Sequence, residues 1–408
     1  MNLGFYIILA AQFLSALADN ALLFAAIALL MDLSSPAWHT PVLQQSFIVS
    51  YIVLAPFVGA FADSLPKGRV MFISNIIKLV GCLAMLVGAH PLIAYGLVGL
   101  GAAAYSPAKY GILAEYLPPG QLVKANGWME GLTVAAIVLG AIVGGILISP
   151  ALSAPLLQTL DIPLIDSVAK LAVAIIVLIY IAAAAFNLYI PHVPIDHKPL
   201  SRNPVFLTKD FWHCFRLLWK DPLGQVSLAV TTLFWGAGAT LRLVVLAWAA
   251  AALHYDIGEA AKLTAWVAIG IAIGSVLAAK YIQLEHSVKV LPVGIAMGVA
   301  VLLMIPVTNS ALAILLLIVI GAMGGFFVVP MNALLQHRGH LLMGAGRSIA
   351  VQNFNENLSI FAMLGLYAVM QKLDFSIYFI ILVFGLLLSG IMTALYKRHG
   401  HDQDKGQR

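Results

Sequence analysis

Twelve continuous apolar runs, near residues 4–31, 43–64, 69–89, 91–115, 121–149, 167–190, 222–252, 260–283, 288–308, 310–336, 344–371 and 374–397, constrain this chain more than any other feature. A stretch of about 20 apolar residues is the length an α-helix needs to cross a bilayer. The runs are unbroken, whereas a membrane β-barrel alternates polar and apolar residues in segments of about ten. With 62% hydrophobic and 10% charged residues, 408 residues offer too little polar surface for a soluble domain. The same numbers exclude a disordered chain, which needs low hydrophobicity. The expected fold class is therefore an all-α polytopic membrane protein with about twelve transmembrane helices.

Between runs six and seven lies a polar segment, 191–221, with Pro191, Pro194, Pro199 and Pro204 among basic and acidic residues. The expected organisation is a six-helix bundle over 1–190, a cytoplasmic linker over 191–221, a second six-helix bundle over 222–397 and a tail over 398–408. The first run ends Ser15-Ala16-Leu17-Ala18, which looks like a signal-peptidase site, but no Lys or Arg precedes it and the run continues through Leu30. It reads as an uncleaved first span.

Lys and Arg mark the cytoplasmic side of short loops. With the N-terminus inside, Lys67, Arg69, Lys124, Lys198, Arg202, Lys209, Arg216, Lys220, Lys280, Lys289, Arg338, Arg347, Lys397, Arg398, Lys405 and Arg408 fall on the inner side, and only Lys170, Lys262 and Lys372 on the outer. Both termini are expected to be cytoplasmic. This distribution accounts for the net charge of +5 without a nucleic-acid partner. Cys82 and Cys214 form no metal or redox motif. There is no Walker loop, no H-E-x-x-H and no nucleophile elbow. The single H-x-x-x-x-D spacing, His399 to Asp404, falls in a tail too short to be a domain. The chain reads as a carrier, not an enzyme, and no cofactor is expected.

The halves resemble each other. Gly101 to Gly111 (GAAAYSPAKYG) and Gly324 onward (GGFFVVPMNAL) place Pro107 and Pro330 six residues after a glycine, and Phe13-Leu14-Ser15-Ala16 aligns loosely with Phe234-Trp235-Gly236-Ala237. A parallel six-plus-six repeat resembles the major facilitator fold. The loop from Gly59 through Asp63 and Lys67 to Arg69 is similar to that superfamily's G-x-x-x-D-(R/K)-x-G-R motif. It departs from the pattern in Ser64, which stands where a base is usual, and in a Gly-Arg pair two residues late. Gly59, Asp63, Lys67 and Arg69 form the candidate gating set: the glycine permits close helix packing, and the aspartate suits a helix terminus and a base on the opposite bundle. A tight cytoplasmic turn with ordinary topogenic charges is the plainer alternative.

Four longer stretches carry a closer likeness. Ala18-Asp19-Asn20-Ala21-Leu22-Leu23-Phe24, Tyr105 to Leu113 (YSPAKYGIL), Leu122 to Gly127 (LVKANG) and Gly324 to Pro330 closely resemble the bacterial lysophospholipid transporter family, a branch of the major facilitator superfamily, as do Ala345-Gly346 and Val351-Gln352-Asn353. The resemblance implies inward flipping of lysophospholipids, chiefly lysophosphatidylethanolamine, across the bacterial inner membrane. It also implies coupling to a separate cytoplasmic-side acyltransferase/acyl-carrier-protein synthetase that reacylates them.

Ionisable groups inside a bilayer cost at least ~2.5 kcal/mol on insertion scales and mark functional places. Asp19 lies mid-span, with Gln12 and Ser15 on the same helix face, and Asn20 follows it. Arg242 sits in the outer half of run seven. A carboxylate at Asp19 suits a headgroup ammonium, and a guanidinium at Arg242 suits its phosphate; a structural Asp19–Arg242 pair is the alternative. Lys109 and Glu130 lie at similar depth, with Asn126 one turn from Glu130, as a second headgroup station or a structural pair. Lys78 has no obvious partner and could equally snorkel to the inner surface. Gln352, Asn353 and Glu356 make one wet face of run eleven, suited to a cavity wall or to interhelical hydrogen bonds. Gly140, Gly144 and Gly145, and Gly270 with Gly274, are expected at close helix contacts, and Pro56, Pro107 and Pro330 at bends. The candidate substrate-binding set is thus Gln12, Ser15, Asp19, Asn20, Lys109, Asn126, Glu130, Arg242, Gln352, Asn353 and Glu356. A proton-coupled drug or metabolite exporter, with Asp19 or Glu356 as proton carrier, and a membrane scaffold remain open on residues alone.

Overall fold

A computed structural model describes residues 2–36, 39–149, 155, 157, 159, 162–194, 199–255 and 257–406. Lys198 and Arg408, two of the expected topogenic charges, lie outside the described residues. The described chain is helical throughout, without a strand, as a backbone surrounded by lipid requires. In chain order the helices are α1 (Leu3–Asp32), α2 (His39–Ser64), α3 (Lys67–Leu86), α4 (Pro91–Tyr116), α5 (Leu122–Leu147), α6 (Val168–Leu188), α7 (Pro204–Lys220), α8 (Pro222–Leu253), α9 (Ile257–Tyr281), α10 (Leu291–Leu302), α11 (Ser310–Leu342), α12 (Ala345–Lys372) and α13 (Ile377–Gly406). The expected spans thus map onto α1–α6 and α8–α13.

Polar side chains set several helix starts. Asn2, Ser167, Asp221 and Asn309 accept first-turn amides of α1, α6, α8 and α11, satisfying donors that have no intrahelical partner. Pro56, Pro107 and Pro330 lie within α2, α4 and α11. Among the described residues, ten helices are long and apolar enough to cross a membrane by length and composition. α4 and α12 fall short of that test. They carry Ser106 and Lys109, and Gln352, Asn353, Asn355 and Glu356, all buried in protein. α7 occupies the second part of the linker, with Leu207, Phe211, Cys214 and Leu218 buried along one face at helical spacing. The membrane-crossing part of the last helix ends at Arg398, next to the expected Lys397, and the helix continues to Gly406.

The chain forms two compact units. The first comprises Met1–Tyr116, Leu132–His213 and Gly344–Asn353; the second comprises Leu117–Gly131, Cys214–Met343 and Phe354–Arg408. Each therefore includes a short stretch from the other half of the sequence. The core of the first unit joins α1, α3, α4 and α6 around Leu22, Ala25, Met85, Val98, Ile176 and Tyr180.

Within a bilayer, lipid tails are as apolar as leucine, so helices associate through close backbone approach rather than through expulsion of water. Gly140 meets α1 at Leu17 and Asn20, and Gly144 meets Ala21 and Phe24; Gly145 faces open space, so the expected contact is made by two of the three glycines. In the second unit Gly270 and Gly274 of α9 face Ile318, Gly321 and Ala322 of α11, while Gly321 and Gly325 face Val267 and Ile271 in return. Backbone lies against backbone along this seam, leaving no room for a Cβ. Gly274→Val is therefore expected to destabilise by at least the ~1–3 kcal/mol typical of overpacking, read as a lower melting temperature of the purified protein. An unchanged melt would show that the seam can spread.

Candidate functional site

Helix α1 carries Gln12, Ser15 and Asp19 on one face, as its spacing predicts, and the structure shows what that face meets. Lys78 of α3 points at it. Its Nζ lies 2.7 Å from Asp19 Oδ2 and donates to Ser15 Oγ at 3.0 Å. The Tyr180 hydroxyl of α6 donates to the other Asp19 oxygen at 2.6 Å. Ser15 in turn donates to Asn75 Oδ1 at 2.8 Å. The Lys78 ammonium also lies 4.8 Å from the ring centre of Tyr105 and 5.7 Å from that of Tyr180, within cation–π range. Lys78 is 1% exposed, whereas the Asp19 side chain is 20% exposed. A lysine this deep cannot snorkel. The expectation that left it without a partner is corrected: Asp19 neutralises it, because a buried charge is tolerated only when paired and hydrogen-bonded.

Around this centre, Gln12 is fully buried and accepts from Thr133 at 3.5 Å, and Lys109 donates to the same Thr133 at 3.3 Å. Asn20 turns back on its own helix, donating to the Ala16 carbonyl at 2.8 Å, and packs against Gly140. Asn353 of α12 donates to Ser106 of α4 at 2.9 Å. Gln352 is buried beside it in sequence, 7% exposed.

In the second unit Asn126 and Gln336 exchange two amide hydrogen bonds of 2.8 Å each, and one turn further along Asn332 donates to Glu130 at 3.1 Å. The i, i+4 pair on α5 thus meets an i, i+4 pair on α11. Asn332 and Gln336 are isolated polar residues of an otherwise apolar run, and only their partners on α5 single them out. Glu356 is buried, and the neighbouring Asn355 accepts from the Trp219 indole at 3.3 Å. Arg242 is exposed on α8. At the foot of α8, Asp221 takes a fork from Arg338, bonded to Nε at 3.0 Å and also to Nη2. Burial works against the Asp221 charge, but Arg338 and the Gly224 amide outweigh it and hold the carboxyl below the ordinary aspartate range. A lowered acid pKa adds stability above its unfolded value of about 3.9 and loses it as pH falls through the folded value. The melting gap between wild type and Asp221→Asn is expected to be steady near neutral pH and to close in acid.

Three of the four candidate gating residues, Gly59, Asp63 and Lys67, gather in the first unit. Asp63, at the end of α2, accepts the Gly346 amide at 2.7 Å and the Arg347 amide at 3.1 Å, and pairs with the Arg347 guanidinium at 3.2 Å. Gly346 and Arg347 belong to the first turn of α12, so Asp63 caps that helix from another one and places a negative charge at the positive end of its dipole. Gly344 precedes the helix with a φ of +108°, a conformation that favours glycine. Gly59 packs where a Cβ would come 2.8 Å from Ala350 and 2.9 Å from the Arg347 backbone, which is the close approach its place in the loop predicts.

Lys67 supplies the base that Ser64 does not: its Nζ reaches Asp63 at 3.1 Å, Glu115 at 2.8 Å and the Ala62 carbonyl at 2.7 Å. Arg347 bonds Asp210 of α7 at 2.7 Å. Arg69 is exposed on the first turn of α3. Glu115 and Asp210 escaped the sequence reading because each lies over 45 residues from Asp63 in the chain and in no shared motif. Among the described residues no group of acidic, histidine and cysteine side chains is arranged to hold a metal.

A family model for the Major Facilitator Superfamily matches residues 8–362. The chain is 45% identical over 374 residues to a protein of Yersinia enterocolitica named lysophospholipid transporter LplT, covering 91% of this chain and 88% of that one. It is 46% identical over 366 residues to the LplT of Serratia proteamaculans, covering 90% and 88%. Among solved structures, a bacterial homologue of the iron transporter ferroportin in an outward-facing state superposes with a TM-score of 0.70 at 17% identity, covering 98% of this chain and all of that one. The transporter FucP gives 0.71 at 12% identity, over 97% and 98%. These two likenesses concern the fold. The apolar helices, the loop from Gly59 to Arg69 and the near full-length likeness to the LplT proteins converge: this chain belongs to the Major Facilitator Superfamily, in its LplT family.

Proposed function

We propose that this chain carries lysophospholipids from the outer to the inner leaflet of a bacterial inner membrane by alternating access. The near full-length identity to proteins named lysophospholipid transporters carries this reading. Lysophosphatidylethanolamine is the chief substrate, and a separate cytoplasmic-side acyltransferase/acyl-carrier-protein synthetase consumes the product. The strong inner-side excess of Lys and Arg supports cytoplasmic termini.

The headgroup is a zwitterion, and the first unit offers both complementary charges in one place, Asp19 for the ammonium and Lys78 for the phosphate. Arg242 is a further fork for phosphate. Gln12, Ser15, Asn20, Lys109, Gln352 and Asn353 add hydrogen-bonding capacity in the first unit; Asn126, Glu130 and Glu356 do so in the second. Gly59, Asp63, Lys67 and Arg69 act in gating, with Asp63 holding the start of α12 in one state of the cycle.

The substrate partitions into the bilayer by itself, and reacylation on the inner face would pull flow inward. Labelled lysophosphatidylethanolamine is therefore expected to flip in proteoliposomes without an imposed ion gradient. Flipping that stops with an ionophore and returns with a proton gradient would replace this coupling by a proton-driven one. Absence of flipping in both conditions, with export of a soluble compound instead, would favour the exporter.

A further inference from the structure

We infer that the enclosure around the Lys78 ammonium is a binding site for primary ammonium ions, filled in this state by the protein's own lysine and taken over by the substrate's ammonium when Lys78 withdraws. The identity of that substrate rests on the proposed function; the existence of the ammonium site does not.

The groups that bond or stack on the Lys78 ammonium are ones that suit a primary ammonium. The Asp19 carboxylate at 2.7 Å and the Ser15 oxygen at 3.0 Å accept two of its three N–H bonds. The Ser15 hydroxyl hydrogen is directed to Asn75, which leaves the oxygen lone pairs for the ammonium. Tyr105 and Tyr180 present ring faces at 4.8 and 5.7 Å, and Tyr180 fixes the second Asp19 oxygen at 2.6 Å. An ethanolamine headgroup ends in the same alkyl-ammonium group as lysine. A trimethylammonium keeps the charge and the ring contacts but has no N–H, so it forfeits both hydrogen bonds.

The burial is lopsided in the direction an exchange needs. Lys78 is closed in at 1% exposure, while the Asp19 side chain keeps 20% of its surface exposed. The lysine stem runs past Gly101, where a Cβ would come 2.7 Å from Lys78 Cγ; the glycine makes room for the lysine in this position. Two fully buried amide nitrogens, Gln12 Nε2 and Asn75 Nδ2, find no acceptor among the described residues. Gln12 is one turn before Ser15 and Asn75 one turn before Lys78. These donors and the displaced Lys78 ammonium would serve the oxygens of a phosphate attached to the incoming ammonium.

Small ions test the site apart from lipid transport. In purified full-length Lys78→Ala, ethylammonium is expected to raise the melting temperature and tetramethylammonium to do so at least about tenfold less effectively per mole. Wild type, whose site is filled, and the double variant Asp19→Asn with Lys78→Ala should show no such preference. The ratio of lysophosphatidylethanolamine to lysophosphatidylglycerol affinity should rise in Lys78→Ala, since a competitor only of the ammonium is gone. Equal action of the two small ions on Lys78→Ala, or an unchanged lipid ratio, would overturn the inference.

Should Lys78→Ala not fold, wild type provides the second measurement. Modification of Lys78 by an amine-reactive reagent, read by mass spectrometry, should increase with lysophosphatidylethanolamine and not with lysophosphatidylcholine; no difference would again overturn it. Ethylammonium selectivity without binding of either lysolipid would count against lysophospholipid carriage and leave the ammonium site standing.

Discussion

Asp19→Asn is expected to abolish lysophosphatidylethanolamine transport and to lower the stability of the protein. The substitution keeps size and hydrogen bonding but removes the charge that balances Lys78, which is 1% exposed. Breaking a buried ion pair from one side typically costs ~3–5 kcal/mol, because the remaining charge has no counterpart. Loss of affinity for a lipid bearing an ammonium should exceed tenfold, as for other desolvated charge pairs. Lysophosphatidylglycerol, which has no ammonium, should lose less. Adding Lys78→Met to Asp19→Asn removes the stranded charge, so the double variant should recover stability but not transport. Binding of both lipids to the purified single variant, with melting curves of all three proteins, separates the effects. Equal losses for the two lipids would sink the assignment of Asp19 to the headgroup and leave a structural pair.

Asp63→Asn is expected to slow transport about 5- to 150-fold, the range that corresponds to ~1–3 kcal/mol between two states. The carboxylate accepts two backbone amides and a guanidinium at the start of α12, and an amide side chain offers one neutral oxygen in its place. Capping residues alone contribute ~0.5–2 kcal/mol, and the charge adds its interaction with the helix dipole. The fold should survive, because Lys67 keeps Glu115 and Arg347 keeps Asp210. Cysteine crosslinking at the two membrane faces then reports the state populations. A variant with unchanged crosslinking and unchanged rate would reduce the loop to a tight turn.

Helices and their order were legible because hydropathy is a local property: a run of about 20 apolar residues specifies a membrane helix whatever surrounds it. Gly59 and Asp63 were legible for a related reason, since the motif keeps both within one short loop. The second part of the linker was harder. α7 announces itself only by four buried positions, Leu207, Phe211, Cys214 and Leu218, spaced among charges and aromatics, and the prolines before it suggest a loop. Asp19 was found from its cost in a bilayer, yet the choice of its basic partner was not. Lys78 and Arg242 are both basic residues within apolar runs, and sequence distance does not say which of them faces Asp19.

The sequence by itself determined the solvent, the class of fold, the family and the places where charge enters the membrane, because each of these depends on which residues occur within a span. Only the tertiary structure decided how those charges are neutralised. Lys78 reaches Asp19 from 59 residues away, Tyr180 from 161, and Gln336 meets Asn126 across 210. Such pairings depend on which helix faces turn toward each other. That is set by backbone contact at residues such as Gly101, Gly140 and Gly144, and no periodicity along a single helix records it.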